Sequence, residues 1–255
     1  MPKPEFNIVI VGSGNMAHAL GNLFQKKHNI VQVFSRNKKT GASLAKKLKC
    51  VYNSSLKDIN TQADFYFLCV PDDEIKKVSK SLKHVKGIVV HHSGSRSIHE
   101  IAHRSKAVIY PFTSVNKTTV FDTKELPLFY QATGKHELFL VKQLLNGFKF
   151  TPTETTDTKR AKLHLAAVFV NNFTNHLYYQ TGKIIGNDKK ALDMLVLLAQ
   201  QSLDNFKRGK TKENQTGPAR RKDINTVKNH VKLLKKESKI RDIYVSITQS
   251  ILNTY

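Results

Sequence analysis

The stretch Val11-Gly12-Ser13-Gly14-Asn15-Met16-Ala17-His18-Ala19-Leu20 decides how this chain folds. The apolar run Phe6–Val11 leads into it as a predicted strand, and a helix is predicted to follow as far as about Lys27. A strand, a Gly-x-Gly-x-x-Ala turn and a helix form the arrangement that holds the pyrophosphate of a dinucleotide. The sequence therefore predicts a dinucleotide-binding unit at the start of the chain.

The small residues of this turn each have a predicted part in binding. Gly12 permits a sharp turn, Gly14 lets the backbone approach the phosphates, and Ala17 lets the helix pack close to the strand. The free N–H groups and the positive dipole end of the helix then face the anion. The predicted pyrophosphate-binding residues are Gly12, Ser13, Gly14, Asn15, Met16 and Ala17. A glycine turn without a ligand is the alternative.

The second predicted strand, Ile30–Phe34, ends in the segment Ser35-Arg36-Asn37-Lys38-Lys39. An NAD site carries an acidic residue about 20 positions after the glycines, where it binds the ribose 2′-hydroxyl. This segment offers hydroxyl, guanidinium and ammonium groups instead. Because such groups bind phosphate, Ser35 and Arg36, with Lys38 as a further candidate, predict NADP(H) with its 2′-phosphate at this place. An exposed basic loop is the alternative.

Length and composition set the broad class. The chain has 255 residues, of which 40% are apolar, so it can bury the core of one large domain or two smaller ones. Its apolar runs are too short to cross a membrane and no signal peptide precedes the first strand, so we expect a cytoplasmic protein. Cys50 and Cys69 are expected to be packing residues. The pair His91-His92 lacks a third ligand, so no metal site is predicted.

The net charge of +23 arises from 42 Lys and Arg against 19 Asp and Glu. Such an excess is one mark of nucleic-acid binding. The basic residues are spread along the chain, however, and no nucleic-acid motif accompanies them. A lysine-rich solvated surface is therefore favoured, and a nucleic-acid partner is not expected.

Strand and helix signals alternate through the first part of the chain, which predicts an α/β fold with a doubly wound sheet. The polar junction Thr151–Asp157 predicts a boundary between an NADP-binding Rossmann domain, residues 1–153, and a helical substrate and dimerisation domain, residues 154–255. Phe148–Thr151 is the last predicted strand. The later predicted helices are Lys159–Ile185, Lys189–Arg208, Arg220–Lys236 and Ile240–Asn253.

Two further segments follow predicted strands at the edge where a bound dinucleotide lies in this fold. Val70 and Pro71 are predicted to line the cofactor. Ser93 is predicted to bind the nicotinamide or the substrate, and the alternative is a cap for the helix at Ile98.

Polar side chains form a stripe on the long predicted helix. Its members are Arg160, His164, Asn171, Asn175 and Tyr178, with Asn172 on the flank. If the stripe faces the nucleotide, His164 is a general acid and Asn172 a substrate anchor. The alternative is that these groups satisfy one another in a helical core or a dimer interface. In the later segment Thr216–Asp223, Arg221 is a predicted ligand for a substrate carboxylate or a cofactor phosphate. The alternative is that Gly217-Pro218 only marks the start of a helix.

These motifs together resemble a known family. Gly-Ser-Gly-Asn-Met-Ala, Val-Pro-Asp, His-Ser-Gly, Tyr-Pro-Phe, Leu-His-Leu-Ala-Ala-Val-Phe-Val-Asn-Asn-Phe and Thr-Gly-Pro-Ala-Arg-Arg-Lys-Asp occur in the order of the Rossmann-like family that ends in domain of unknown function 2520. The resemblance runs from Ile8 to about Leu233. The N-terminal half is similar to pyrroline-5-carboxylate reductases and to NADP oxidoreductases related to coenzyme F420 enzymes. The helical half is similar to dimerising domains of the 6-phosphogluconate dehydrogenase superfamily.

The resemblance implies a fold and a cofactor class rather than a particular reaction. The residues that match recurrent positions of the family are Ser93, Gly94, His164, Asn172, Arg221, Asp223 and His230. Two positions depart from it, since Tyr110 stands where many relatives carry His and Lys222 where a Gly is usual.

The sequence thus predicts an NADP(H)-dependent oxidoreductase, acting as a homodimer on a small polar substrate held in an interdomain cleft. The predicted substrate is an imine, keto or hydroxy compound, with His164, Asn172, Ser93 and Arg221 around it. The alternative is a non-catalytic regulatory or sensor protein that binds NADP(H).

Overall fold

The computed structural model describes residues 5–116, 118–121 and 126–255. Tertiary contacts divide the chain into two units, one ending at Val168 and one running from Phe169 to Tyr255. This division lies later in the chain than the predicted domain boundary at residues 153 and 154. The boundary of independently folding domains stays a prediction.

The first unit is an eight-stranded sheet flanked by helices. All neighbouring strands are parallel except β6 and β7, and the strand order is β3-β2-β1-β4-β5-β6-β7-β8. The described strands are β1 (Asn7–Val11), β2 (Asn29–Phe34), β3 (Val51–Asn53), β4 (Phe65–Leu68), β5 (Ile88–His91), β6 (Lys106–Pro111), β7 (Leu128–Ala132) and β8 (Pro152–Glu154). The predicted doubly wound α/β class is confirmed, with the order reversing between β1 and β4.

The helices of the described chain follow the predicted sequence of elements. Those of the first unit are α1 (Asn15–Phe24), α2 (Lys38–Leu48), α3 (Ile75–Lys80), α4 (Lys135–Leu145) and α5 (Asp157–Ala167). A π-helical turn, Val168–Phe173, continues α5 along the chain. The second unit contains α6 (Thr174–Ile184), α7 (Lys189–Lys207), α8 (Ile224–Leu233) and α9 (Ser238–Thr254).

Strand β1 is apolar and buried from Ile8 to Val11 because both faces of the sheet are covered. Ile8 and Ile10 pack in one buried cluster with Leu20 of α1. Val9 and Val11 point to the other face and pack in a second buried cluster. This double burial fixes β1 in the middle of the sheet and places the glycine turn at its carboxyl end.

Two predicted elements begin at a later residue than predicted. The last strand is β8, not Phe148–Thr151: the chain pairs with β7 only from Pro152, whereas Phe148 and Phe150 lie in a bend and stack with ring centroids 5.2 Å apart. The helix predicted from Arg220 begins at Ile224, since Lys222 has a φ of 57° that breaks the helical backbone. Asp223 caps it by accepting a hydrogen bond from the N–H of Thr226.

Candidate functional site

Gly12 closes the turn after β1 in a conformation that favours glycine. Its φ is +122°, and a Cβ at this position would lie 2.1 Å from the carbonyl oxygen of Cys69. The Gly12 N–H donates a 2.8 Å hydrogen bond to the carbonyl of Phe34. The turn therefore packs against the chain that leaves β2 and β4, with no room for a side chain.

Gly14 stands in open space. Its φ is −81°, and a Cβ here would meet no atom within 4 Å. Gly14 is the N-cap of α1, no side chain caps this helix, and its first turn contains no acidic residue. No side chain therefore caps the first N–H groups of α1, and the backbone at Gly14 is open to the approach of an anion.

The remaining predicted residues of the turn divide between the surface and the core. Ser13 and Met16 are half-buried and Asn15 is exposed. Ala17 is fully buried. Its small side chain belongs to the cluster that α1 forms with the sheet, as the sequence predicted.

Three hydroxyl groups meet between the glycine turn and the end of β2. Ser13 Oγ lies 2.8 Å from Ser35 Oγ and 2.7 Å from Thr40 Oγ1. Thr40 belongs to the first turn of α2, whose cap is Asn37. The sequence analysis did not single out Thr40. Its position three residues after Asn37, a residue type that caps helices, could have placed it in the first turn of a helix beside Ser35.

Arg36 lies beside this hydroxyl cluster with a side chain that is 74% exposed. Its Nη2 atom is 3.5 Å from Oε2 of Glu74. Glu74 comes from the short turn after β4, so no local pattern around Arg36 could have revealed the pair. A phosphate bound here would compete with this carboxylate for the guanidinium.

Asp72 and Ser93 join the segments that follow β4 and β5. Ser93 Oγ donates a 2.6 Å hydrogen bond to Asp72 Oδ2 and accepts hydrogen bonds from the N–H groups of Ser95 and Arg96. The cap of the 3-10 turn at Ile98–Glu100 is Ser97. Ser93 is therefore not that cap, and its hydroxyl proton is already bound by Asp72.

Val70 and Pro71 lie between the end of β4 and Asp72. Val70 is half-buried and packs on the cluster behind the sheet, whereas Pro71 is exposed. Both lie at the carboxyl edge of the sheet, where they were predicted to line the cofactor.

His164 of α5 contacts Tyr110 of β6. The Nδ1 atom of His164 is 3.0 Å from Tyr110 Oη, and the two rings meet edge to face at 73° with centroids 6.0 Å apart. A Cβ on Gly94 would lie 2.6 Å from His164 Nδ1 and 2.8 Å from Tyr110 Cζ. Gly94 thus leaves the space into which this pair fits. The sequence noted Tyr110 only as a departure from its relatives.

Arg160, one helical turn before His164, anchors the start of α5. Its side chain is only 1% exposed. The guanidinium donates hydrogen bonds to Gln131 Oε1 at 2.6 Å and to the carbonyl of Arg96 at 2.5 Å. It also donates one to Asp157 Oδ1 at 2.8 Å. Asp157 also accepts a hydrogen bond from Ser97 Oγ. Burial acts to raise the pKa of Asp157, but hydrogen bonds from Ser97 and Arg160 outweigh it and hold that pKa below its usual value. These contacts fix the helix that carries His164.

The other predicted substrate residues belong to the second unit. Asn172 is exposed in the π-helical turn, and Arg221 is exposed in the turn before α8. Asp223 is occupied as the cap of α8, and His230 Nδ1 lies 2.9 Å from Tyr244 Oη. The roles of Asn172 and Arg221 therefore stay predictions.

Within the described ranges, no group of three or more His, Cys, Asp and Glu side chains is placed to hold a metal ion. Over the same part of the chain, no helix has the length and apolar character needed to span a membrane. Cys69 is buried, Cys50 is half-buried, and both are free thiols.

The fold and the glycine turn are those of a Rossmann-type, oxidoreductase-like dinucleotide-binding fold. Residues 7–92 match the family described as NADP oxidoreductase, coenzyme F420-dependent, and residues 127–251 match domain of unknown function DUF2520. The chain thus matches the first family in its N-terminal part and DUF2520 in its C-terminal part, and the predicted resemblance is confirmed.

Solved structures agree with this assignment. BF3122 of Bacteroides fragilis, named as an NADP oxidoreductase, is 28% identical with a TM-score of 0.86, covering 98% of each chain. A pyrroline-5-carboxylate reductase of Coxiella burnetii is 14% identical with a TM-score of 0.57, over 98% of this chain and 97% of its own. A variant imine reductase of Myxococcus stipitatus, solved with NAD⁺, is 12% identical with a TM-score of 0.62, over 98% and 94%. The last two show the fold alone. No protein of curated function matches the sequence.

Proposed function

We propose that this protein is an NADP(H)-dependent oxidoreductase that acts on a small polar imine, keto or hydroxy compound. The observation that carries the proposal is the pairing of two features on one sheet edge. An open anion site lies at the start of α1, after β1, and a proton-carrying pair, Tyr110 and His164, lies at the end of β6. The names of the matched N-terminal family and of BF3122 support the same class.

The chain offers groups for each part of the cofactor. The turn from Gly12 to Ala17 would hold the pyrophosphate, and Ser35 with Arg36 would hold the 2′-phosphate. Val70, Pro71 and Ser93 would border the nicotinamide. When bound, NADPH supplies the hydride.

His164 is the proposed general acid, because an imidazolium can give a proton to a substrate oxygen or nitrogen near neutral pH. Arg160 and its partners hold the start of α5 on the loops of the sheet, so the ring has a fixed place. Asn172 and Arg221 are the proposed substrate ligands, the latter for a carboxylate.

Replacing Arg36 with alanine is expected to weaken NADPH binding about 10- to 100-fold, the size of a charge-assisted hydrogen bond to phosphate. Binding of NADH, which lacks the 2′-phosphate, should change little. Calorimetric titration of both cofactors would measure the difference. Glu74→Gln is the matched control, since it frees Arg36 and should tighten NADPH a few-fold. Equal affinity of the unmodified protein for NADH and NADPH would contradict the NADP(H) assignment.

His164→Gln is expected to lower the reduction of cyclic imines or 2-keto acids by about 10²- to 10⁴-fold, because glutamine keeps a polar side chain but cannot deliver a proton. NADPH affinity should stay within about twofold. Turnover is followed by loss of NADPH absorbance with a panel of both substrate types. A variant as active as the unmodified protein would remove His164 from the acid role.

The second candidate is a regulatory protein that binds NADP(H) without turnover and changes its association with a partner.

Helix α7 favours association, because within the described chain it has no buried residue and exposes Met194, Leu197 and Leu198. We propose a second copy of the chain as its partner, giving a homodimer. For such a homodimer, we expect light scattering to measure a mass of twice that of one chain. A mass that changes with NADPH, together with no turnover across the panel, would favour the regulatory function.

A further inference from the structure

We propose that Tyr110 is a positioning residue that occupies Nδ1 of His164, so that His164 presents an N–H at Nε2 to the substrate in both its neutral and its charged state. The inference rests on the proposed acid role of His164 and names the atom that performs it. It also gives a reason for a tyrosine at this position.

Nδ1 of His164 is enclosed on two sides. Tyr110 Oη lies 3.0 Å from it, and the backbone of Gly94 approaches so closely that a Cβ there would lie 2.6 Å away. A substrate therefore cannot reach Nδ1 without displacing the loop after β5 or the tyrosine ring. Among the described residues, no hydrogen-bond partner is found for Nε2, and the His164 ring is only half-buried. The geometry leaves Nε2 as the ring nitrogen that a substrate can reach.

The chemistry of the two groups sets the direction of the hydrogen bond. Tyr110 is 8% exposed, and burial raises the pKa of its phenol, although the nearby charge of Arg160 acts in the opposite direction. The phenol therefore keeps its proton. Within the described chain, His164 Nδ1 is the partner found for that hydroxyl. A neutral imidazole nitrogen accepts well, so Tyr110 donates and neutral His164 carries its proton on Nε2.

The same hydroxyl serves the charged state. In the imidazolium, Nδ1–H donates to the oxygen of Tyr110, because a hydroxyl both donates and accepts. The imidazolium then releases its Nε2 proton to the oxygen or nitrogen of the substrate, which leaves the ring neutral and transiently in its less stable Nδ1–H form. Water returns a proton to Nε2. Tyr110 remains protonated throughout.

Nitrogen-15 NMR of histidine-labelled full-length protein with NADPH, above the pH at which His164 is charged, tests this assignment. The signals of His164 are identified by their loss in His164→Gln. We expect the proton on Nε2 in the unmodified protein. Tyr110→Phe should shift the tautomer ratio by about fivefold toward Nδ1–H, the effect of one neutral hydrogen bond.

Tyr130→Phe is the matched control, because it removes another buried phenol, on β7, and should leave the ratio unchanged. A proton on Nδ1 in the unmodified protein, or the same ratio in Tyr110→Phe, would overturn the proposal. If Tyr110→Phe failed to fold, the tautomer of the unmodified protein would still decide. The NMR measurement needs no turnover. It therefore tests the tautomer of His164 even if the protein proves not to be an oxidoreductase.

Discussion

Gly12→Ala is expected to destabilise the first unit by about 3–5 kcal/mol, whereas Gly14→Ala leaves its stability within about 1 kcal/mol. At Gly12 a methyl group would lie 2.1 Å from the carbonyl oxygen of Cys69, on a backbone with a φ of +122°. Strain and overlap with a fixed backbone both act against folding. At Gly14 the φ is −81° and the methyl group meets nothing within 4 Å.

The same pair of variants separates folding from binding. Gly14→Ala should fold and yet bind NADPH about 30-fold more weakly or worse, equivalent to about 2 kcal/mol, because the new methyl group occupies the space of the pyrophosphate. Hydrogen exchange of β1 and β4 amides gives the stability, and calorimetry the affinity. Unchanged NADPH affinity in Gly14→Ala would contradict the placement of the pyrophosphate at this turn.

The first unit is also expected to lose about 3–4 kcal/mol of stability between pH 7 and pH 5 through two buried histidines. Burial lowers the pKa of His91 to about 4, with the charge of Arg160 adding to it. Burial likewise lowers the pKa of His92 to about 3. The unfolded chain, with histidine pKa values near 6.5, therefore binds protons first as the pH falls. Acid thus favours unfolding from about pH 6.5 down to about pH 4 for His91 and about pH 3 for His92.

Contacts in the folded state explain why these rings stay neutral. His91 Nδ1 accepts a hydrogen bond from the N–H of Ser93 at 3.2 Å, which leaves its proton on Nε2. His92 Nδ1 lies 2.7 Å from the carbonyl of Ile109, and its Nε2 is buried without a partner among the described residues. A second proton on either ring would disrupt a hydrogen bond or bury a charge.

The variant His92→Asn isolates one of the two contributions. Asparagine can still donate to the carbonyl of Ile109 but does not titrate, so about half of the pH effect should disappear. Hydrogen exchange of the β5 amides at pH 7 and pH 5 measures the free energy of unfolding of this unit. His99→Asn, at an exposed histidine, is the control and should keep the full effect. An unchanged difference in His92→Asn would contradict the assignment.

Much of the fold could be predicted because its signals are local. The apolar run before Gly12 and the small residues after it are dictated by a buried strand and a tight turn, and both stand where the sequence predicted. The absence of an acidic residue from the segment Ser35–Lys39 could be recognised from the sequence in the same way. Two elements begin later than predicted. At Phe148 and Phe150 the apolar residues resemble a strand but stack outside one. At Lys222 the backbone is left-handed, a conformation that the residue type lysine does not predict.

The sequence by itself determined the α/β class, the place of the glycine turn and the chemical groups near the candidate site. Only the tertiary structure decided which of those groups meet. Tyr110 and His164 are 54 positions apart, and Ser93 and Asp72 are 21 apart. Periodicity reports which face of an element is buried, but strand order and loop path determine which side chains come within hydrogen-bonding distance. The partner of His164 therefore had to be read from the folded chain.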